Sequence, residues 1–342
     1  MARLELSRSQ ILCFRRNAGS LDERLPAGAK SLRLAAWAGL QDSSPRAALL
    51  SIHARVEDTG AASWEHPSLV QLWGPRFSDY VVAAKDVAVF SLGRLPEDAR
   101  RRARAHDTAS RLNTFLAGRR MPIGQAGREM RVPHNSLRYA APTGTILMRW
   151  DGARQPVIWS AQPPAMEPRQ ARLELARRYL HVFGPATSGS FARWAGIGKA
   201  EASAAFGLLA DTLIPARTPV GDAWILADDE AAFRRVRSRS AASARLLPSG
   251  DSYFLLWGAD REILVPEAKR RTELWTTRVW PGALLVGGEI AGVWRRSAGE
   301  VFIDAWRRLS RSEWEAVEAE AAALPLPGLN GPIVVRRGSK LG

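Results

Sequence analysis

The spacing of apolar and polar positions divides the chain into helix-rich units followed by a strand-rich stretch. The helical period is clearest between Gln170 and Phe233. There ARLELARRYLHVFG sets Leu173, Ala176, Leu180 and Phe183 on one side and Arg172, Arg177 and Arg178 on others, and Gly184-Pro185 stops it. Thr187 or Ser188 then caps a short helix, SFARWAG, and Gly198 opens another, KAEASAAFGLLADTL. Leu213-Ile214, the turn Pro219-Val220-Gly221-Asp222 and AWILAD read as a small hairpin. Helices followed by a hairpin in this order make a winged helix, a helix-turn-helix with a β wing.

The same order recurs upstream. Pro96 to Phe115 reads as a basic helix, MPI as a short strand, GQAGREMR and HNSLRYAAPTG as helices, and TILMRW with QPVIWS as strands about an Asp151-Gly152 turn. At the N-terminus LSRSQILCFRRNAG, SLRLAAWAGL and a helix capped by Ser44 with Pro45 at its first position are expected. RFSDYVVAAKDVAVFSL closes this unit as strands paired around Lys85-Asp86. Three such units in series amount to an internal repeat. After Ser240 the segments ARLLP, YFLLWG, GALLVGG, EIAGVWRR and EVFIDAWRRL are strand-like between Gly-rich turns. A last helix starts near Ser310, where Ser310-x-x-Glu313 or Ser312-x-x-Glu315 forms a capping box. The expected fold class is α+β. Tandem winged-helix units at 1–95, 96–165 and 166–240 precede a small antiparallel β domain at 241–325, with a poorly ordered tail at 326–342.

Composition adds a partner to this picture. The chain of 342 residues has a formal charge of +15 with an apolar content of 46%, the balance of a globular protein that meets a polyanion. Double-stranded DNA is the leading partner, because its phosphates neutralise such a surface and release counterions. The single cysteine, Cys13, excludes an intramolecular disulfide framework and a cysteine-cluster metal site, and the five histidines lie at no ligand spacing. No cofactor or metal is called for. MARLELSRSQ lacks a signal peptide's apolar core, and even YVVAAKDVAVF is broken by Lys85-Asp86, so a cytoplasmic, nucleoid-associated monomer is expected.

Arg100, Arg101, Arg102 and Arg104, and Arg234, Arg235, Arg237 and Arg239, are candidate phosphate contacts, each cluster also serving as a solvated helix face or linker. The helix in the recognition position of the third unit, Lys199 onward, is mostly Ala, Phe, Gly and Leu, and carries no Arg, Asn or Gln on its first turns. That disfavours a sequence-reading transcription regulator.

LSRSQILCFR; GLQDSSPRAAL with LVQLWGPRFSDYVVAAKD; FGPATSGSFARWAGIGKAEASAAFGLLADTLI; and RLLPSGDSYFLLWGADREILVP with ALLVGGEIAGVWRR follow one another in a recognisable order. In these segments the chain resembles the AlkZ/YcaQ family of bacterial winged-helix DNA glycosylases, which unhook interstrand crosslinks and excise bulky alkylated purines. The resemblance implies winged helices arranged around a DNA channel. It also places the family's catalytic motif, Gln–aliphatic–Gln or Gln–aliphatic–Asp, on Gln41-Asp42-Ser43. Gln41 matches; Asp42 stands where an aliphatic is usual, and Ser43 where the second Gln or Asp is usual. Asp42 has two open fates, turned into the channel as a catalytic group or tied to Arg46 or to the N-terminus of the following helix. The resemblance further implies Arg76 as a phosphate contact beside the lesion, with Trp73 as a wall or stacking surface; the alternative for Trp73 is a core residue at a strand start. Arg46 joins the DNA-binding candidates. The expected function is a monofunctional glycosylase for N7- or N3-alkylated purines or crosslinks, and the alternative is a non-catalytic winged-helix protein that senses or protects damaged DNA.

Overall fold

A computed structural model of the chain describes residues 3–235, 243–297, 299–328 and 331–338. In the third unit the helices Pro168–Phe183, Ser188–Ala195 and Lys199–Leu208 lead to a wing of antiparallel strands, Leu213–Thr218 and Gly221–Leu226. Thr187 caps the middle helix by accepting from the Ser190 N–H. The N-terminal strand Leu4–Glu5 pairs parallel with Leu213–Thr218, so the start of the chain completes the third unit's sheet. In the second unit Ala99–Leu116, Ile123–Glu129 and the 3-10 helix His134–Thr143 stand on a sheet of Met121–Pro122, Val157–Ser160 and Ile146–Arg149.

The first unit has the helices Arg8–Ala18, Ala29–Ala35 and Ala47–His53 and a sheet ordered Leu40–Gln41, Asp79–Ala83, Leu69–Trp73. Its hairpin turns at Gly74–Ser78, not at Lys85-Asp86 as the sequence pattern suggests. Two left-handed residues, Arg76 (φ 56°) and Phe77 (φ 58°), make the reversal there. Val87–Ser91 is helical, and Asp86 pairs with Arg178 of the third unit. The helix expected from Pro45 begins later, at Ala47, with left-handed Arg46 as its N-cap. The Asp42 carboxylate takes the capping role expected of Ser44, accepting from the Ala48 N–H at 2.8 Å.

The C-terminal domain is a sheet ordered Ala244–Leu247, Gly282–Val286, Glu289–Ser297, Glu300–Ala305 and Val334–Arg337, covered by the helix Arg311–Ala322. Ser310 and Glu313 cap that helix reciprocally. YFLLWG is not a strand. Phe254 and Leu256 are buried in irregular chain, because this segment plugs the junction with the other units rather than joining the sheet. Part of the stretch expected as a tail joins the sheet. Val334–Arg337 pairs parallel with Glu300–Ala305, and Arg336 and Arg337 bind Glu300 and Glu318.

One apolar core runs through Leu12, Phe14, Leu180, Phe191, Phe254 and Leu285, joining the first unit, the third unit and the C-terminal domain. Several arginines are buried at these joints, including two that helical periodicity would turn outward. Arg172 reaches Glu97 and the Gly93 and Leu95 carbonyls, and Arg178 reaches Asp86 and the Trp37 carbonyl. Part of the arginine excess therefore holds units together. Among the described residues no helix is long and apolar enough to cross a membrane.

Candidate active site

Extended chain points successive side chains to opposite faces, and this decides what each member of Gln41-Asp42-Ser43 does. Gln41 pairs with Tyr80 across the sheet and shares its face. On that face Arg76 Nη2 donates to Gln41 Oε1 at 2.8 Å, and the Tyr80 hydroxyl lies 3.5 Å from the same oxygen. A guanidinium only donates, so the amide oxygen must face Arg76 and the NH₂ group is turned the other way, over Gly250. A Cβ on Gly250 would lie 3.1 Å from that nitrogen, and the residue is left-handed at φ +78°, so glycine leaves the amide its space. Gly74 serves similarly: a Cβ there would meet the Tyr80 ring at 2.7 Å.

Arg76 has no carboxylate partner among the described residues. Its Nη1 donates to the Trp194 carbonyl at 2.9 Å, and its guanidinium lies 4.5 Å from the centre of the Trp257 ring. Arg94, beneath it, donates to the Ala195 and Trp73 carbonyls. Both cations thus sit at the C-terminal end of Ser188–Ala195, where free carbonyls and the helix dipole favour positive charge. Burial pulls Arg94 down to about 9, the Tyr80 hydroxyl opposes this, and the Arg76 charge adds to it. Burial pushes the Tyr80 hydroxyl up, against the pull of the same cations. The face that carries Gln41 thus holds two cations, of which Arg94 is buried and Arg76 half-exposed.

Asp42 faces the other way and is 1% exposed. Oδ1 accepts from the Ala48 N–H at 2.8 Å and Oδ2 from Gln71 Nε2 at 2.6 Å, while Gln71 Oε1 accepts from the Trp150 N–H. Burial pushes this carboxyl up to about 7, although the Ala48 N–H, the Arg46 cation and the Gln71 amide oppose it. Both oxygens are occupied on the face opposite Gln41, so the geometry is that of the second fate expected for Asp42, a carboxylate tied to the N-terminus of the following helix. Ser43 is exposed at the mouth of the loop, beside Pro45, whose carbonyl accepts from Arg296 Nη2 at 2.7 Å.

The other candidates separate clearly. Trp73 is 0% exposed and clusters with the second unit's apolar residues, among them Leu112 and Ile123, which is the position of a core residue at the end of a strand. Arg46 packs 4.6 Å over the Trp64 ring, half-buried. Arg100, Arg101, Arg102 and Arg104 are exposed along Ala99–Leu116, Arg102 bonded to the Pro96 carbonyl and Arg104 stacked 3.8 Å over Tyr139. Arg234 is exposed but paired with Glu230, and Arg235 is exposed. Arg237 and Arg239 lie outside the described residues. In the recognition helix the exposed positions after Lys199 are Ala200, Ser203, Ala204, Gly207 and Leu208, a face with little to read a base edge.

Sequence reasoning missed the support of the site. Arg55 and Asp251 form a bidentate pair at 2.7 and 2.8 Å with side chains 3% and 0% exposed, and Ser51 Oγ donates to the same carboxylate at 2.6 Å. The pair locks the Pro248–Ser252 loop to Ala47–His53 and so places Gly250 against Gln41. Tyr80, Arg94 and Trp257 were also missed. The Ser-Gly-Asp run after RLLP marks the loop, but nothing local in the sequence links Asp251 to Arg55.

The chain matches the family model described as AlkZ-like DNA glycosylase over residues 34–325. A curated relative, the interstrand DNA cross-link repair glycosylase of Streptomyces sahachiroi, is 29% identical over 169 residues, 48% of this chain. That match spans 44% of the relative's length. The solved structure of Streptomyces sahachiroi DNA glycosylase AlkZ superposes with a TM-score of 0.76 at 17% identity, covering 98% of this chain and 100% of that one, a likeness of fold. With most of its length inside the family model, this chain belongs to the AlkZ-like DNA glycosylase family.

Proposed function

We propose that the protein is a monofunctional DNA glycosylase that hydrolyses the N-glycosidic bond of alkylated purines in duplex DNA, including purines joined in interstrand crosslinks. It acts as a monomer in the cytoplasm, on the nucleoid. One observation carries the reading: the Gln41 amide is held in a single orientation by Arg76, which has no carboxylate partner among the described residues. Alkylation at N7 gives the purine a positive charge. When the C1′–N9 bond breaks, its electron pair neutralises the ring, so the departing base needs little acid assistance. The sugar becomes oxocarbenium-like, water adds to C1′, and the proton released goes to solvent. The task left for the protein is to hold water and sugar in line, and a fixed amide that donates and accepts without ionising does that. Arg76 secures a phosphate beside the lesion, which also screens its charge from the sugar cation.

A second reading, a non-catalytic binder that senses or protects damaged DNA, is favoured by Asp42 and Ser43. Neither supplies the second catalytic group, so Gln41 stands alone. Incubation with duplex DNA containing N7-methylguanine, followed by alkaline cleavage of abasic sites, separates the two. Base release above the spontaneous rate supports the glycosylase; tight binding without release supports the binder.

A further inference from the structure

A cleft of about 560 Å³ opens between the third unit and the C-terminal domain and adjoins the Gln41–Arg76 face through Trp257. Trp257 belongs to both. Its ring carries the Arg76 guanidinium and also lines the cleft, together with Ser190, Arg193, Lys199, Val220 and Asp260. We propose that this cleft binds the positively charged alkylated purine base, stacked on Trp257 with the Asp260 carboxylate facing its charge. The proposal rests on the glycosylase reading and names the group that the same site recognises.

Asp260 is the unusual feature. In a chain with 49 Lys and Arg against 34 Asp and Glu, a half-buried carboxylate ordinarily finds a cation. Asp260 forms no ion pair within 4.0 Å among the described residues; its Oδ2 accepts from Ser190 Oγ at 2.9 Å, and no donor is bonded to Oδ1. Arg15 is near enough to interact with it electrostatically, yet its bonds go to the Phe183 and Gly184 carbonyls. Asp222, on the cleft's other wall, is by contrast paired with Arg3 and Arg217. An aromatic face next to an available carboxylate attracts a planar cation and gives a neutral ring only stacking. Guanine in undamaged DNA is neutral, whereas an N7-alkylguanine in a nucleotide is cationic. Charge is therefore the property that separates lesion from background. Cleavage of the glycosidic bond neutralises the base, so the attraction to Asp260 lapses as the product forms. Arg193 and Lys199, both exposed, have no carboxylate partner among the described residues and suit the flanking phosphates.

The test uses the full chain and two nucleosides, 7-methylguanosine and guanosine, in equilibrium dialysis in mildly acidic buffer, where the first is a cation. The wild-type protein should bind 7-methylguanosine about tenfold more tightly than guanosine, as a desolvated cation–π contact beside a carboxylate implies. Asp260→Asn, which keeps an oxygen for Ser190, should reduce that ratio to about threefold or less. Trp257→Ala should weaken both ligands, and Trp257→Phe should restore most of the binding, which reports stacking rather than folding. Equal affinity for the two nucleosides, no binding of 7-methylguanosine at millimolar concentration, or an unchanged ratio in Asp260→Asn overturns the proposal. No excision is read in these measurements. A protein that releases no base from damaged DNA would refute the glycosylase reading while leaving the dialysis result interpretable.

Discussion

Asp42→Asn separates structure from catalysis at the motif. In the folded protein Asp42 accepts two hydrogen bonds, from the Ala48 N–H and from Gln71 Nε2 at 2.6 Å. An asparagine keeps one acceptor. Its NH₂ group must then face either the Ala48 N–H or the Gln71 NH₂, donor against donor. Turning the Gln71 amide does not help, because its oxygen is already committed to the Trp150 N–H at 2.6 Å. One buried donor is left unmatched whichever way the amides turn, which costs about 1–3 kcal/mol. Urea denaturation at about pH 8, where the carboxyl is ionised, measures this loss, and base release at saturating enzyme measures catalysis. Stability should fall by that amount while the excision rate stays within about twofold of wild type, an interval smaller than the tenfold that 1.4 kcal/mol represents.

The pH dependence of the same pair of proteins gives a second readout. The folded Asp42 carboxyl is pushed up to about 7, above the ordinary carboxylate range that it has in the unfolded chain. Between about pH 4 and 7 the folded state therefore holds a proton that the unfolded state has lost. This group's contribution to stability is fully present below that window and declines as pH rises through it. Asparagine cannot titrate, so the stability gap between wild type and Asp42→Asn should widen as pH is lowered from about 8 to 5. A variant that keeps full stability but loses excision a hundredfold would refute the structural assignment and return Asp42 to the chemistry.

Other substitutions probe the remaining contacts. Gln41→Ala should lower base release about a hundredfold, the scale of losing one preorganised polar group, with little change in melting temperature because the side chain is only half-buried. Arg76→Lys keeps the charge but loses the joint contact to Gln41, the Trp194 carbonyl and Trp257, and binding and excision should both fall. Binding of undamaged duplex should weaken steeply and linearly on a log–log plot against salt, and each exposed arginine removed from Arg100, Arg101, Arg102 and Arg104 should reduce the slope by about 1 if that helix face contacts phosphate. Asp251→Ala strands the buried Arg55 charge and should cost about 3–5 kcal/mol, seen as a large shift in the urea midpoint.

What the sequence revealed follows from the range of the interactions involved. The third unit was legible because its signals are local: a helical period, Thr187 as a cap and a turn at Pro219-Val220. The first hairpin was misplaced because apolar runs mark strands and helices alike: Gly74-Pro75 marks the true turn, but its left-handed residues, Arg76 and Phe77, are not glycines. The late start of Ala47–His53 was hidden because its cap lies six positions before the N–H that it serves. Alternation along Gln41-Asp42-Ser43 could be read, and it correctly separated Gln41 from Asp42. The sequence left Trp73 open between core and surface, and the Arg55–Asp251 lock could not be read, since it depends on surfaces that meet only after the units pack.

The way the site holds its cations bears on the chemistry as much as the amide does. A carboxylate beside Arg76 would neutralise it and compete with DNA phosphate for its donors. The protein instead seats Arg76 and Arg94 on the carbonyl end of Ser188–Ala195, where partial negative charge is fixed and cannot be displaced. Arg76 therefore keeps a charge that a phosphate is needed to satisfy. On the proposed glycosylase reading, its bond to Gln41 Oε1 fixes the direction of the NH₂ group before substrate arrives, so the amide needs no reorganisation during the reaction. A neutral purine leaves as an anion unless protonated, and the Gln41 amide supplies no proton for that step. On the same reading, selectivity for alkylated DNA rests on the charge of the lesion, which supplies the activation that the amide does not.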